Sequence, residues 1–135
     1  MTDALASALF ATGDGETDRL LELARTRITS PRLIDRQDAL EKLWDAFERI
    51  KTLEPGADKK RQADALLDRV APAGSKLRQL MADEAVVLTK IGNTFRIRHS
   101  EASQELLTSA EQIDYMFGRL FSFIRLVLKS SGRGG

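Results

Sequence analysis

Cysteine is absent from the chain, and histidine occurs once, as His99. Without thiols there is neither a disulfide framework nor a thiolate metal site. One imidazole cannot build a two-histidine metal centre, and no His-Glu-x-x-His pair or Asp-rich calcium loop is present. A Gly-rich phosphate loop and a serine nucleophile elbow are missing as well, which argues against nucleotide-hydrolysing and serine-hydrolase chemistry. No metal or other cofactor is expected. Apolar runs fall far short of the roughly 20 residues of a membrane span. Excess charge of one sign is also lacking: 21 Lys+Arg face 20 Asp+Glu, for a net charge of +1. The overall basic footprint of a general nucleic-acid binder is therefore not there. Composition predicts a soluble cytoplasmic domain.

What is present is helical patterning. The opening MTDALASALFAT carries an acid at Asp3 and no basic region, unlike secretory or mitochondrial leaders. Residues 1–15 are expected to form a marginal element, where a preceding partner domain would join, closed by the breaker Gly13-Asp14-Gly15. From Glu16 to Thr29, Leu20, Leu21, Leu23, Ala24 and Ile28 recur at spacings of three and four, the period of a helix. Ser30-Pro31 ends that helix and suits the first turn of the next. Between Pro31 and Leu53 the pattern is clearest. Leu40, Leu43, Phe47 and Ile50 share one face, while Asp38→Lys42 and Asp45→Arg49 form acid-before-base pairs on the other, each contributing a few tenths of a kcal/mol. Trp44 and Phe47 are expected in the core.

Pro55-Gly56 stops this helix, and a shorter amphipathic one runs from Lys59 to Val70. A further helix is predicted from Ser75 to about Arg98, weakened locally at Gly92-Asn93. Residues 99–107 are polar and expected to loop. Thr108-Ser109-Ala110-Glu111 has the spacing of a capping box and opens a last helix, to about Ser130. That helix is apolar nearly all round, as suits one central to a bundle or at a subunit interface. Both roles are expected, with a homodimer formed through residues 109–130. Its Arg119 and Arg125 need partners if buried, for which Asp114 and Glu48 are candidates. The domain is expected to span residues 16–130, and 131–135 to be a disordered tail. The absence of strand patterning excludes βα architectures, leaving an all-α bundle of five to six helices.

One polar cluster stands out. On a continuous helix, Lys90, Asn93, Arg96 and His99 follow one another three residues apart. An imidazole takes or gives a proton near neutral pH, and a guanidinium holds phosphate oxygens. Together they suit metal-independent phosphodiester cleavage, in which the RNA 2′-hydroxyl is the nucleophile. A solvated helix terminus, with basic residues complementing the dipole, is the competing account. In the first account, Asp45, Glu48 and Arg49 line a groove beside the His99 segment.

The segments ALEKLWDAFERIK (39–51), IGNTFRIRHSE (91–101) and DYMFGRLFSFI (114–124) resemble the C-terminal domain of bacterial abortive-infection proteins, which is similar to the HEPN superfamily. The resemblance spans residues 16–129. It implies an up-and-down helical bundle, frequent dimerisation, a role in phage defence and, in active members, a metal-independent endoribonuclease. The family motif is an arginine, four to six residues, then a histidine. His99 matches the histidine, and Asn93 the polar residue that follows the arginine. The arginine's own positions hold Gly92, Asn93 and Thr94, while Arg96 and Arg98 lie between. Two expectations follow. In one, His99 is the general acid/base, Arg96 or Arg98 stabilises the phosphorane, and Asn93 contacts the phosphate. In the other, the domain is a non-catalytic dimerisation or recognition module presenting a partner domain.

Overall fold

The computed structural model describes residues 2–95 and 104–135. Six helices follow in order: α1 Thr2–Ser7, α2 Gly15–Arg27, α3 Leu33–Ile50, α4 Lys59–Asp68, α5 Lys76–Thr94 and α6 Ala110–Ser130. Among the described residues there is no strand, only two isolated bridges, Phe10 with Gly134 and Phe95 with Glu105. The protein is an all-α helical bundle. None of its described helices is long and apolar enough to cross a membrane.

Four helices begin where a short polar side chain satisfies a free backbone N–H. Asp14, within the predicted breaker, accepts from the Thr17 N–H at 3.1 Å, and Gly13 before it takes φ +85° to turn the chain. Asp58 does the same for Arg61 and Ser75 for Arg78. At α6 the cap is Ser109, which accepts from the Gln112 N–H at 3.4 Å. The helix thus starts one residue later than a Thr108-to-Glu111 box requires. Pro31 also lies outside its helix, since α3 begins at Leu33 after Arg32 in extended conformation.

Helix α3 sits at the centre, packed most closely against α2 on one side and α6 on the other. Its buried face is Ala39, Leu40, Leu43, Trp44, Ala46, Phe47 and Ile50. Alanines at 39 and 46, with Ala24 on α2, let the backbones approach, while Phe47 meets the Phe123 ring edge-on at 5.7 Å. Each large side chain taken fully out of water contributes about 1.5–3 kcal/mol. Eight buried residues of α6, from Ile113 to Leu128, make it the other half of this core. Only Tyr115 and Leu126 remain as large exposed apolar side chains on that helix.

The two chain ends depart from expectation. Leu5 and Ala8 are buried in the core. Leu9 and Gly135 exchange both backbone hydrogen bonds at 3.1 Å, and the Ala11 N–H donates to the Arg133 carbonyl at 3.0 Å. Residues 131–135 therefore form a strap paired with the N-terminal segment, not a disordered tail, and Leu5 and Ala8 of that segment belong to the same core as the rest. Glycine makes the pairing sterically feasible: a Cβ at Gly134 would stand 2.9 Å from the Leu9 carbonyl oxygen.

Charged partners also rearrange once the helices meet. Asp38 keeps its predicted partner Lys42 at 3.1 Å and gains Arg27. Arg49 turns instead to Asp14 at 2.8 Å, joining α3 to the start of α2. Arg119 pairs with Glu84 of α5 at 2.7 Å, while Asp114 holds Arg36 and Glu48 holds Lys51. Neither acid expected for Arg119 reaches it, because α5 is its neighbour there.

Candidate phosphate-binding groove

The predicted helix over 75–98 ends early, and this decides what becomes of the polar cluster. Helix α5 stops at Thr94, and Phe95 is extended (φ −95°, ψ 158°). Gly92 does not break it. A Cβ at that position would lie 1.8 Å from Trp44 Nε1, so glycine is what allows the indole to pack on the α5 backbone and donate to the Leu88 carbonyl at 3.3 Å. Beyond Phe95 the chain returns to this helix end. The Glu105 N–H donates to the Thr94 carbonyl at 3.2 Å, and the buried Gln104 donates its amide N–H to the Asn93 carbonyl at 3.3 Å.

Of the predicted stripe Lys90, Asn93, Arg96 and His99, the first two lie on α5. Arg96, Arg98 and His99 lie outside the described residues. Asn93 is exposed, as is Lys90 one turn before it. Both open onto a groove of about 580 Å³ between α4 and α5. Ala63, Leu67, Ala82, Ala85 and Val86 contribute apolar surface to it, with Lys51 and Lys60 among its polar lining. A second groove along the end of α3, lined by Glu48, Arg49, Lys51, Thr52 and Lys59, shares Lys51, Lys60 and Ala63 with the first. Glu48 and Arg49 line this second groove and Asp45 does not, while the His99 segment beside which all three are expected lies outside the described residues.

Across the joined grooves five basic side chains (Arg49, Lys51, Lys59, Lys60, Lys90) face three acidic ones (Glu48, Asp64, Asp83). Some of this charge is already engaged. Lys51 bonds Glu48 at 2.9 Å and the Thr89 hydroxyl at 3.1 Å, and rests 4.6 Å from the centre of the Phe47 ring. Asp64 pairs with Lys60 at 3.3 Å and with Arg78 at 3.5 Å. Lys59 and Lys90 make no ion pair among the described residues. The result is a local positive excess in a chain of net charge +1. Among the described residues no three His, Cys, Asp or Glu side chains group closely enough to hold a metal ion.

Lys51 and Lys60 were not distinguishable in the sequence as site residues. Lys51 closes α3 and Lys60 belongs to α4, and three-residue spacing from Glu48 on a polar face marks Lys51 only as half of a surface pair. Comparison with models of protein families, with curated proteins and with solved structures gives no match for this chain.

Proposed function

We propose that this chain is an RNA-binding helical domain of the HEPN-like, abortive-infection type, acting in phage defence in the bacterial cytoplasm. The α4–α5 groove would carry the phosphate backbone. The observation that supports this reading most is the meeting of Lys51 from the end of α3, Lys60 of α4, and Lys90 and Asn93 of α5 on one groove. In the active form, His99 is the general acid/base, Arg96 or Arg98 stabilises the phosphorane, and Asn93 contacts a phosphate oxygen. No metal takes part.

Fluorescence anisotropy with a labelled single-stranded RNA tests the binding. For single strands each neutralised phosphate adds about 0.7 to the salt slope, so Lys60→Ala with Lys90→Ala should lower it by about 1.4. Affinity and slope left unchanged by the double substitution would sink the groove assignment. Incubation of RNA in EDTA, with the parent and a His99→Ala variant side by side, tests the chemistry: cleavage by the parent alone is the expected result.

A second reading, a non-catalytic recognition or dimerisation module, has its own support. At Gly92, one of the motif arginine's three positions, the Trp44 ring leaves no room for any side chain. Leu77, Leu80 and Val86 also stand exposed along α5. Equal inactivity of parent and His99→Ala toward RNA, with binding retained, would select this reading.

A further inference from the structure

Arg125 is the odd arginine of the fold. Every other half-buried arginine among the described residues holds a carboxylate: Arg36 that of Asp114, Arg78 that of Asp68, Arg119 that of Glu84, Arg133 that of Glu54, and Arg25 and Arg27 likewise. Arg125 has no such partner among the described residues, and its Nε, like Nη1 of Arg133, is buried with no hydrogen-bond acceptor among them. Buried N–H groups of a cation are rarely left this way, because the lost hydration is not replaced.

The surroundings show what would replace it. Arg125 lines an open cleft of about 340 Å³ between α6 and α1, together with Ser122, Lys129, Phe121, Leu126 and Ala4. Ser122, Arg125 and Lys129 follow at i, i+3 and i+7, so they share one side of α6. A smaller space also lined by Arg125 and Lys129 is bordered by Phe10, Leu128, Gly134 and Gly135. No Asp or Glu lines either space. Lys129, like Arg125, makes no ion pair among the described residues, and Asp3 of α1 pairs with neither.

We propose that Ser122, Arg125 and Lys129 form a binding site for a small organic oxyanion on a short apolar body, such as an alkyl phosphate or an alkyl carboxylate. The guanidinium and ammonium groups hold the oxyanion, the Ser122 hydroxyl donates to it, and the apolar body lies along Leu126 and the α1 edge at Ala4. The site shares no residue with the α4–α5 groove and does not rest on the RNA reading. Charge-assisted bonds from an arginine fork are the strong ones, and the apolar lining separates such a ligand from inorganic phosphate.

Octyl phosphate, kept below its micelle concentration, is the probe. A ¹H–¹⁵N spectrum that includes arginine Nε–H signals follows Arg125 directly. A saturable shift of that signal is expected, with octyl phosphate and octanoate each binding at least tenfold more tightly than inorganic phosphate. Lys129→Gln should weaken binding about tenfold, and Arg125→Leu should abolish it while leaving the thermal midpoint unchanged or raised. No saturable shift, binding indifferent to Lys129→Gln, or binding only to anionic vesicles and not to free octyl phosphate would each overturn the proposal.

Discussion

Gly92 and Trp44, 48 positions apart in the chain, show how one residue's identity is dictated by another through contact in space rather than by composition or local propensity. Alanine would raise intrinsic helix propensity at position 92 by about 1 kcal/mol. Its Cβ, however, would meet three atoms of the indole, at 1.8, 1.9 and 2.4 Å. Overpacking of this kind costs about 1–3 kcal/mol and would pull Trp44 Nε1 off the Leu88 carbonyl. Gly92→Ala should therefore destabilise the protein in urea unfolding and shift the emission of its single tryptophan. A neutral or stabilising result would mean that the indole is not seated on α5. Glu54 makes an equally local prediction. Only 6% exposed, it is held by Arg69 at 2.9 Å and Arg133 at 3.1 Å. Burial by itself raises its pKa, but hydrogen bonds from Arg133 and Arg69 outweigh that and leave it below the usual glutamate range. A folded pKa below the unfolded one gives stability that is complete above the unfolded value of about 4.3 and is lost as pH falls from there through the lower folded pKa. Thermal melts from pH 7 to 3 should show this loss, and Glu54→Gln should flatten it while lowering stability at pH 7 by roughly 1.5–3 kcal/mol.

At the scale of elements, helix starts and the terminal strap carry the testable content. Ser109, not Thr108, caps α6. Ser109→Ala should cost about 1 kcal/mol, whereas Thr108→Ala should stay within about 0.5 kcal/mol; chemical denaturation of the two variants separates the two registers. The strap at residues 131–135 supplies the partner of Leu9 and Ala11 and one of the two cations on Glu54. Removing it should lower stability by about 2 kcal/mol or more, from backbone bonds of about 1 kcal/mol each and a charged one besides. Since Arg133 and Glu54 act as a pair, the losses from the deletion and from Glu54→Gln should sum to more than the combined variant loses. Strict additivity would show that the strap contributes nothing through Arg133. Sequence patterning placed helices α2 to α6 near their observed positions, because a 3.6-residue repeat of apolar side chains is a local property. It misjudged the end of α5 and the tail. Both are stabilised by distant groups: Gln104 and Glu105 returning to α5, and Leu9 lying against a run of glycines too flexible to be held by its own preferences.

Across the whole molecule, charge is nearly balanced but unevenly spent. Seven carboxylates, those of Asp14, Asp38, Glu54, Asp64, Asp68, Glu84 and Asp114, hold arginines from elsewhere in the chain, while among the cations without an ion pair in the described residues Lys59 and Lys90 line the joined grooves and Arg125 and Lys129 the α1–α6 cleft. Composition excluded thiolate and two-histidine chemistry outright, since no folding supplies a residue the chain does not contain. Periodicity settled that the chain is helical and which faces turn inward. Neither specified that Arg119 takes Glu84 rather than Asp114, that Arg49 takes Asp14 rather than Asp45, or that lysines from α3, α4 and α5 meet on one groove with Asn93. Those pairings depend on which helices become neighbours and at what register. That follows from the fit of Trp44, Phe47, Phe123 and the small residues Ala24, Ala39 and Gly92 into a single core, a condition met only when the entire chain packs at once.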